Sequence, residues 1–366
     1  MPTLSICIPT YNRSHCLAEL LDSIIAQDMP QIEVVVSDDG SPDDTAALAR
    51  SYGGRIARFT LLCQPVNIGV DRNIRAVTEA ATGDYIWLIG DDDRLEPGGA
   101  RRVMDALERW PGVVGLTLGV VDYDVTLRHV TGLRAMPRTQ RIEGAAAVFS
   151  RSAHLLGYIS GTVVDRRKWN AASADPSARA MKNLYSPVYI LGRAIGATGT
   201  WGIVNEPCIG FRSGNDQLKR RVGWLERLKI DVRAYDEIAD LLFADDRAAH
   251  RAMCKRVFDT HILARIVNAT TSGEDSGERL KAATYLIGRY AAMPRLWLLG
   301  LPMLLAPAIM LRAVRSAYRR MAGSSGTARA RRFVSAETGP AAGRVPLQHG
   351  SNPPPRRSGR MQRQFH

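Results

Sequence analysis

The chain has 366 residues with 45% hydrophobic and 23% charged residues, a globular composition that excludes a disordered or collagenous chain and leaves room for one large α/β domain with additions, or two domains. Its five cysteines are scattered, with no Cys-x-x-Cys pair, which excludes a disulfide scaffold and a cysteine-rich zinc module and fits a reducing compartment. The formal charge of +13 sits mostly in one place: residues 312–366 hold twelve arginines and one acid, Glu337, so the body is nearly neutral.

Residues 1–9 lack a basic leader region and run directly into Pro9-Thr10-Tyr11-Asn12, so no secretory signal is read. Residues 4–8 (LSICI) predict a central strand. Over 14–27, Leu17, Leu20, Leu21, Ile24 and Ile25 recur at helical spacing, with Ser14 as the cap. A second strand is predicted at 32–36 and a helix opened by Asp43 and Asp44 to about residue 52. A strand at 59–63, a helix at 71–81, a strand at 85–89, a helix at 98–110 and a strand at 113–121 follow. Residues 123–213 mix short apolar runs with glycine-rich breaks and read as a continuation of the sheet. From 216 to 269 apolar residues recur every three or four positions, from Leu218 to Leu242. Residues 285–318 read as a helix or helix pair broken at prolines, and 322–366 as disordered.

Continuous apolar strands between amphipathic helices predict a doubly covered, mostly parallel sheet. In such sheets ligands bind outside the carboxyl ends of the strands. The segments after the first, second and fourth strands are Pro9-Thr10-Tyr11-Asn12, Asp38-Asp39-Gly40-Ser41 and Asp91-Asp92-Asp93, so all three are expected on one edge.

Three adjacent carboxylates at the mouth of a buried sheet repel one another, and a hard divalent cation such as Mg²⁺ or Mn²⁺ relieves that repulsion while keeping positions for phosphates and water. The plainer alternative for Asp91-Asp92-Asp93 is an acidic turn before a helix. Asp38-Asp39-Gly40-Ser41 has the composition of a turn; on the ligand edge, Asp39 can accept hydrogen bonds from a nucleobase or ribose. Tyr11 can stack on a base, and Arg72 can pair with a phosphate or stand as an exposed helix residue. The chain has no G-x-G-x-x-G after the first strand, no P-loop, no G-x-S-x-G elbow and no H-E-x-x-H. His154 and His261 read as surface or satisfied core residues.

SICIPTYNR (5–13), VSDDGS (36–41), NIG (67–69), ATGDY (81–85) and GDDD (90–93), in that order, closely resemble the nucleotide-sugar glycosyltransferases of family 2, which have the GT-A fold. NIGVDRNI (67–74), WLIGDDDRL (87–95) and SGTVVDRRKW (160–169) are most similar to the abequosyltransferase-type branch, which adds sugars to lipid-linked O-antigen units. The resemblance implies an α/β GT-A domain at 1–213, with a nucleotide-binding half at 1–122 and an acceptor half at 123–213. A helical extension at 214–320 and a basic tail at 321–366 follow it. Pro9 and Tyr11 would line the base pocket, Asp39 would bind base or ribose, and Arg72 would sit near the nucleotide. Asp91 and Asp92 would fill the D-x-D function, with Asp92 touching Mg²⁺ or Mn²⁺ and Asp93 close by. Two departures stand out. Gly90 replaces the first Asp of the usual motif, and no acidic pair supplies the catalytic base, for which Asp175 is the nearest carboxylate. The Q-x-x-R-W motif of processive synthases is also missing, which favours single transfer.

By this resemblance the chain moves one sugar from a nucleotide-diphosphate donor to a glycan or lipid-linked acceptor, with inversion. The leaving diphosphate's charge is neutralised by metal, and a carboxylate deprotonates the acceptor. Residues 296–311 form an apolar run too short to span a bilayer and flanked by Arg295 and Arg312. It is read as lying in the membrane interface on the cytoplasmic face, the alternative being a helix packed on the domain. A non-catalytic binder that keeps the fold is the competing reading of the whole. The arginine tail lacks interleaved aromatics, so no nucleic-acid partner is expected.

Overall fold

In the first strand side chains alternate between two apolar environments: Leu4, Ile6 and Ile8 enter one buried cluster and Cys7 the other. That is the period-two signature of a strand covered on both faces. The structure, a computed structural model, describes residues 1–313 apart from 137, 216 and 274, together with 328 and 330. The predicted tail at 321–366 lies almost wholly outside the described residues.

The first half runs β1 (Leu4–Thr10), α1 (Ser14–Ile25), β2 (Glu33–Asp38), α2 (Thr45–Ser51), β3 (Phe59–Cys63), α3 (Val70–Ala80), β4 (Tyr85–Leu88), β5 (Arg94–Leu95), α4 (Gly99–Arg109) and β6 (Gly115–Tyr123). The second adds β7 (Val130–Arg134), β8 (Gln140–Glu143), α5 (Ala145–Leu156), β9 (Thr162–Asp165), α6 (Arg166–Ser173), α7 (Pro176–Ala180), α8 (Ser186–Ile195) and β10 (Thr200–Arg212). Helices α9 (Gln217–Val222), α10 (Trp224–Leu242), α11 (Arg247–Val257), α12 (Leu263–Ser272), α13 (Ser276–Tyr290) and α14 (Leu301–Leu305) complete it. Two π-helical turns, Phe258–Ile262 and Leu296–Gly300, precede α12 and α14.

The sheet order is β3-β2-β1-β4-β9-β6-β10-β5, with β7 beside β6 and β8 beside β10. Strands β1 to β4 are parallel neighbours, as are β6 and β10, whereas β9 enters antiparallel between β4 and β6. The expected mostly parallel α/β sheet is therefore present, with β9 reversed inside it and β5, β7 and β8 antiparallel beside β6 and β10, which the chain order does not disclose. Small differences fall at helix starts. Ser14 is the first residue of α1 rather than its cap, and Asp43, not Asp44, accepts from the Thr45 amide.

Helices α1 and α4 cover one face of the sheet through Leu17, Leu20, Leu21, Val103 and Leu107. The other face is covered by α3, α6 and α8, and its apolar cluster runs on through Leu228, Phe258, Leu286 and Leu304 of the helical extension. Within 285–313 the helix stops before Pro294, and Pro302 is accommodated in the first turn of α14. The extended Ala306 before Pro307 ends that helix.

Candidate functional site

The loops after β1, β2 and β4 meet. The Asp39 amide donates to the Thr10 carbonyl at 2.9 Å. The Asn12 amide donates to Ser41 Oγ, and Thr10 Oγ1 to Asp91 Oδ2, each at 2.8 Å. Arg13 extends across the same edge, donating to Asp92 Oδ2 at 2.7 Å and lying 3.9 Å from Asp91. Asn12 makes the turn between Tyr11 and Arg13 with a φ of 55°, a conformation Asn tolerates better than most residues. Tyr11 is 44% exposed in the loop after β1.

Asp39 is only 3% exposed, and its carboxylate accepts from the amides of Ile68 (2.7 Å) and Gly69 (3.0 Å). It thus clamps the 67–69 loop, from which α3 carries the exposed Arg72. Gly40 permits this closure. Its φ is +68°, and a Cβ there would stand 2.9 Å from the Val66 carbonyl carbon.

The three aspartates differ sharply. Burial pushes Asp91 up to about 6 against the opposing pull of Arg13. Asp92 accepts from Arg13 and from Asn215 Nδ2, the latter also at 2.7 Å. Asp93 is 2% exposed and accepts from the Tyr158 and Ser160 hydroxyls at 2.6 Å each and from the Arg212 amide at 3.3 Å. Burial, then the neighbouring Asp92, pushes it up to about 7. Its oxygens are enclosed by these donors, so of the two expected metal ligands the structure leaves Asp92 open and closes Asp93 in. A partly open Asp92 with Asp91 behind it fits a hard divalent cation that takes one or two carboxylates and fills its other positions with phosphate oxygens and water. No group of three or more His, Cys, Asp or Glu suited to a metal exists among the described residues.

Beyond Asp92 the cleft opens into a cavity of about 300 Å³ walled by β10, α5 and the helical extension. Its basic lining surrounds one fully buried acid, Asp231 of α10. Asp231 Oδ1 accepts from the Tyr185 hydroxyl at 2.7 Å and from Arg227; Oδ2 faces His261 Nε2 at 2.9 Å and accepts from Arg265. Burial works to raise the Asp231 pKa, but His261, Arg265 and Arg227 outweigh it and hold it at about 2. His154 lies in the same wall with its Nδ1 buried and unpartnered. Burial, then Arg256, His261 and Arg134, pushes it down to about 4.

Asp175 lies outside this cavity. It caps α7 through the Ser177 amide (2.8 Å), pairs with Arg193 at 3.4 Å and lines a separate depression with Lys168. Sequence reasoning missed Arg13, Arg212, Asn215 and Asp231. Arg212 donates to the Asp92 carbonyl (2.9 Å) and pairs with Glu19, tying the end of β10 to the aspartate loop. Asp231 had a legible signal: it falls on the apolar stripe of α10 between Leu228 and Val232, where an acid must be paired.

The fold is that of the GT-A glycosyltransferases, and residues 5–170 match the family model for glycosyl transferase family 2. Among its relatives, abequosyltransferase RfbV of Salmonella typhimurium is 27% identical over 279 residues, which cover 71% of this chain and 80% of the relative. The GalNAc(5)-diNAcBac-PP-undecaprenol beta-1,3-glucosyltransferase of Campylobacter jejuni is 35% identical over 107 residues, 28% of this chain and 34% of that one. The fold is shared with S. aureus TarS in complex with UDP, at a TM-score of 0.54 and 15% identity over 86% of this chain and 87% of that one. It is shared also with the mannosyltransferase PcManGT of Pyrobaculum calidifontis in complex with GDP-Man and Mn²⁺, at a TM-score of 0.50 and 15% identity over 87% of each.

Proposed function

We propose that this glycosyltransferase moves a single sugar, with inversion, from a nucleotide-diphosphate sugar to a hydroxyl of a lipid-linked glycan, in cell-surface polysaccharide or O-antigen synthesis. The observation that carries this reading is the meeting of Tyr11, Asp39 and Asp92 on one sheet edge, with Arg13 joining two of the three loops. Pro9 and Tyr11 hold the base, Asp39 fixes the base-side loop, and Arg72 approaches the phosphates. Asp92, backed by Asp91, would hold Mg²⁺ or Mn²⁺, which when bound would supply neutralisation of diphosphate charge. Arg13 and Asn215 keep the Asp92 carboxylate aimed, so that little reorganisation remains for the reaction step.

The acceptor enters the cavity beyond Asp92. Leu296, Leu301 and Leu304 are buried against the helical core and Leu311 is buried too, while Trp297, Leu298, Leu305, Ile309 and Met310 are exposed. No helix among the described residues is long and apolar enough to cross a membrane. The exposed set, flanked by Arg295 and Arg312, rests on an anionic lipid surface on the inner face of the cell membrane and brings the acceptor's head to the cleft. Asp175, which caps α7 outside the cavity, is set aside as the base.

Purified protein incubated with UDP-, GDP-, CDP- and dTDP-hexoses and Mn²⁺ tests this. Release of nucleoside diphosphate from at least one donor, lost in Asp92→Ala, is expected. Equal turnover by both proteins without metal contradicts it.

A further inference from the structure

We propose that His261, oriented by the buried carboxylate of Asp231, is the general base that takes the proton from the attacking acceptor hydroxyl. The inference rests on the transferase reading above and supplies the role for which the family's acidic pair is missing.

Three side chains of the cavity wall belong to residue types that serve as general bases: Asp92, His154 and His261. Asp92 is bound by Arg13 and Asn215 on the donor side. His154 has its Nδ1 sealed away from solvent and is held neutral far below the usual range, which makes it a poor base. His261 stands apart. It sits in the π-helical turn Phe258–Ile262, an irregularity that breaks the helix between α11 and α12 and recurs at functional sites. Asp231, ionised and fully buried, can only accept, so the 2.9 Å contact fixes the proton on Nε2 and leaves Nδ1 as the basic nitrogen. Arg227, Arg265 and the Tyr185 hydroxyl hold the carboxylate in place, and the Tyr235 ring packs against the imidazole with centroids 5.4 Å apart. A carboxylate that orients a histidine is the arrangement by which an imidazole is tuned for proton transfer.

The step balances. The acceptor oxygen forms its bond to the anomeric carbon as that carbon's bond to the phosphate oxygen breaks, and the nucleoside diphosphate leaves with the electron pair. The hydroxyl proton passes to His261 Nδ1 and then to solvent. His261 is the catalytic residue, Asp231 a positioning one.

The test uses full-length protein and the nucleotide hexose that wild type turns over in the panel above. His261→Asn is expected to lower kcat by about 10²- to 10⁴-fold, with KM for the donor and Kd for the nucleoside diphosphate within about threefold of wild type. His261→Gly is expected to recover at least about tenfold in rate with added imidazole, which a purely structural role would not allow. A kcat for His261→Asn within about threefold of wild type overturns the assignment, as does a loss that imidazole leaves unrescued. If wild type neither binds nor turns over any nucleotide sugar, the transferase reading itself falls and takes this inference with it.

Discussion

Arg13 donates to Asp92 at 2.7 Å across 79 residues of chain, and the same guanidinium lies 3.9 Å from Asp91. One guanidinium therefore offsets the mutual repulsion of two neighbouring carboxylates. Arg13→Met removes the neutralising charge while keeping the stem. In the absence of divalent metal it is expected to cost about 1–3 kcal/mol in urea unfolding at pH 7. The loss shrinks toward pH 5, where Asp91, at about 6, is protonated and needs Arg13 less. A loss that stays constant across this range contradicts the account.

Asp231 is the keystone of the helical extension's polar core. Truncation to Ala removes the carboxylate that Arg227, Arg265 and His261 share. The expected cost is about 3–5 kcal/mol, read as a lower urea midpoint at unchanged slope. A change under about 1 kcal/mol shows that the arginines find other partners.

His154 makes stability depend on pH with a definite sign. Its folded pKa, about 4, lies below the ordinary 6.5, so the unfolded chain binds the extra proton. Its stabilising contribution is complete above pH 6.5 and is lost as pH falls toward 4. Between pH 7 and pH 5 this group is expected to remove on the order of 2 kcal/mol. His154→Leu should flatten the melting temperature over that window; an unchanged slope rules the group out.

The outer surface of 296–311 is the clearest apolar exposure in the extension, with Trp297 at 51%, Leu298 at 73% and Ile309 at 79%. Replacing all three with Ser is expected to weaken cosedimentation with phosphatidylglycerol vesicles at least about 30-fold. Leu298 and Ile309 are mostly exposed and Trp297 gives up one hydrogen bond, to the Ala291 carbonyl at 2.8 Å, so the melting temperature should fall by no more than about 4 °C. Undiminished vesicle binding assigns membrane contact elsewhere.

Much of this fold was legible because the middles of β1 and β2 and all of β4 are mostly apolar, and helices with a single apolar face separate them. The edge rule for parallel sheets then placed Tyr11, Asp39 and Asp92 together. What escaped depended on distant pairing. β9 reads like any buried strand, and nothing local reveals that it runs against β4 and β6. Asp39 looks like a free turn carboxylate until the 67–69 amides close on it. Asp93 is indistinguishable from Asp92 in sequence, yet Tyr158, Ser160 and Arg212, 65 to 119 residues away, enclose it. His154 and His261 read alike as surface or satisfied core positions. Only Asp231, itself signalled by its place on the α10 stripe, separates the paired imidazole from the unpartnered one.

Equilibrium binding of UDP, GDP and CDP to wild type and Asp92→Asn, with Mn²⁺ and with chelator, tests the central claim most directly. At least one of these or dTDP, tested alongside them, should bind wild type in a Mn²⁺-dependent manner and lose at least about tenfold in affinity in Asp92→Asn. Equal affinity in both proteins regardless of metal, or no nucleotide bound by either, contradicts a donor site built from these three loops.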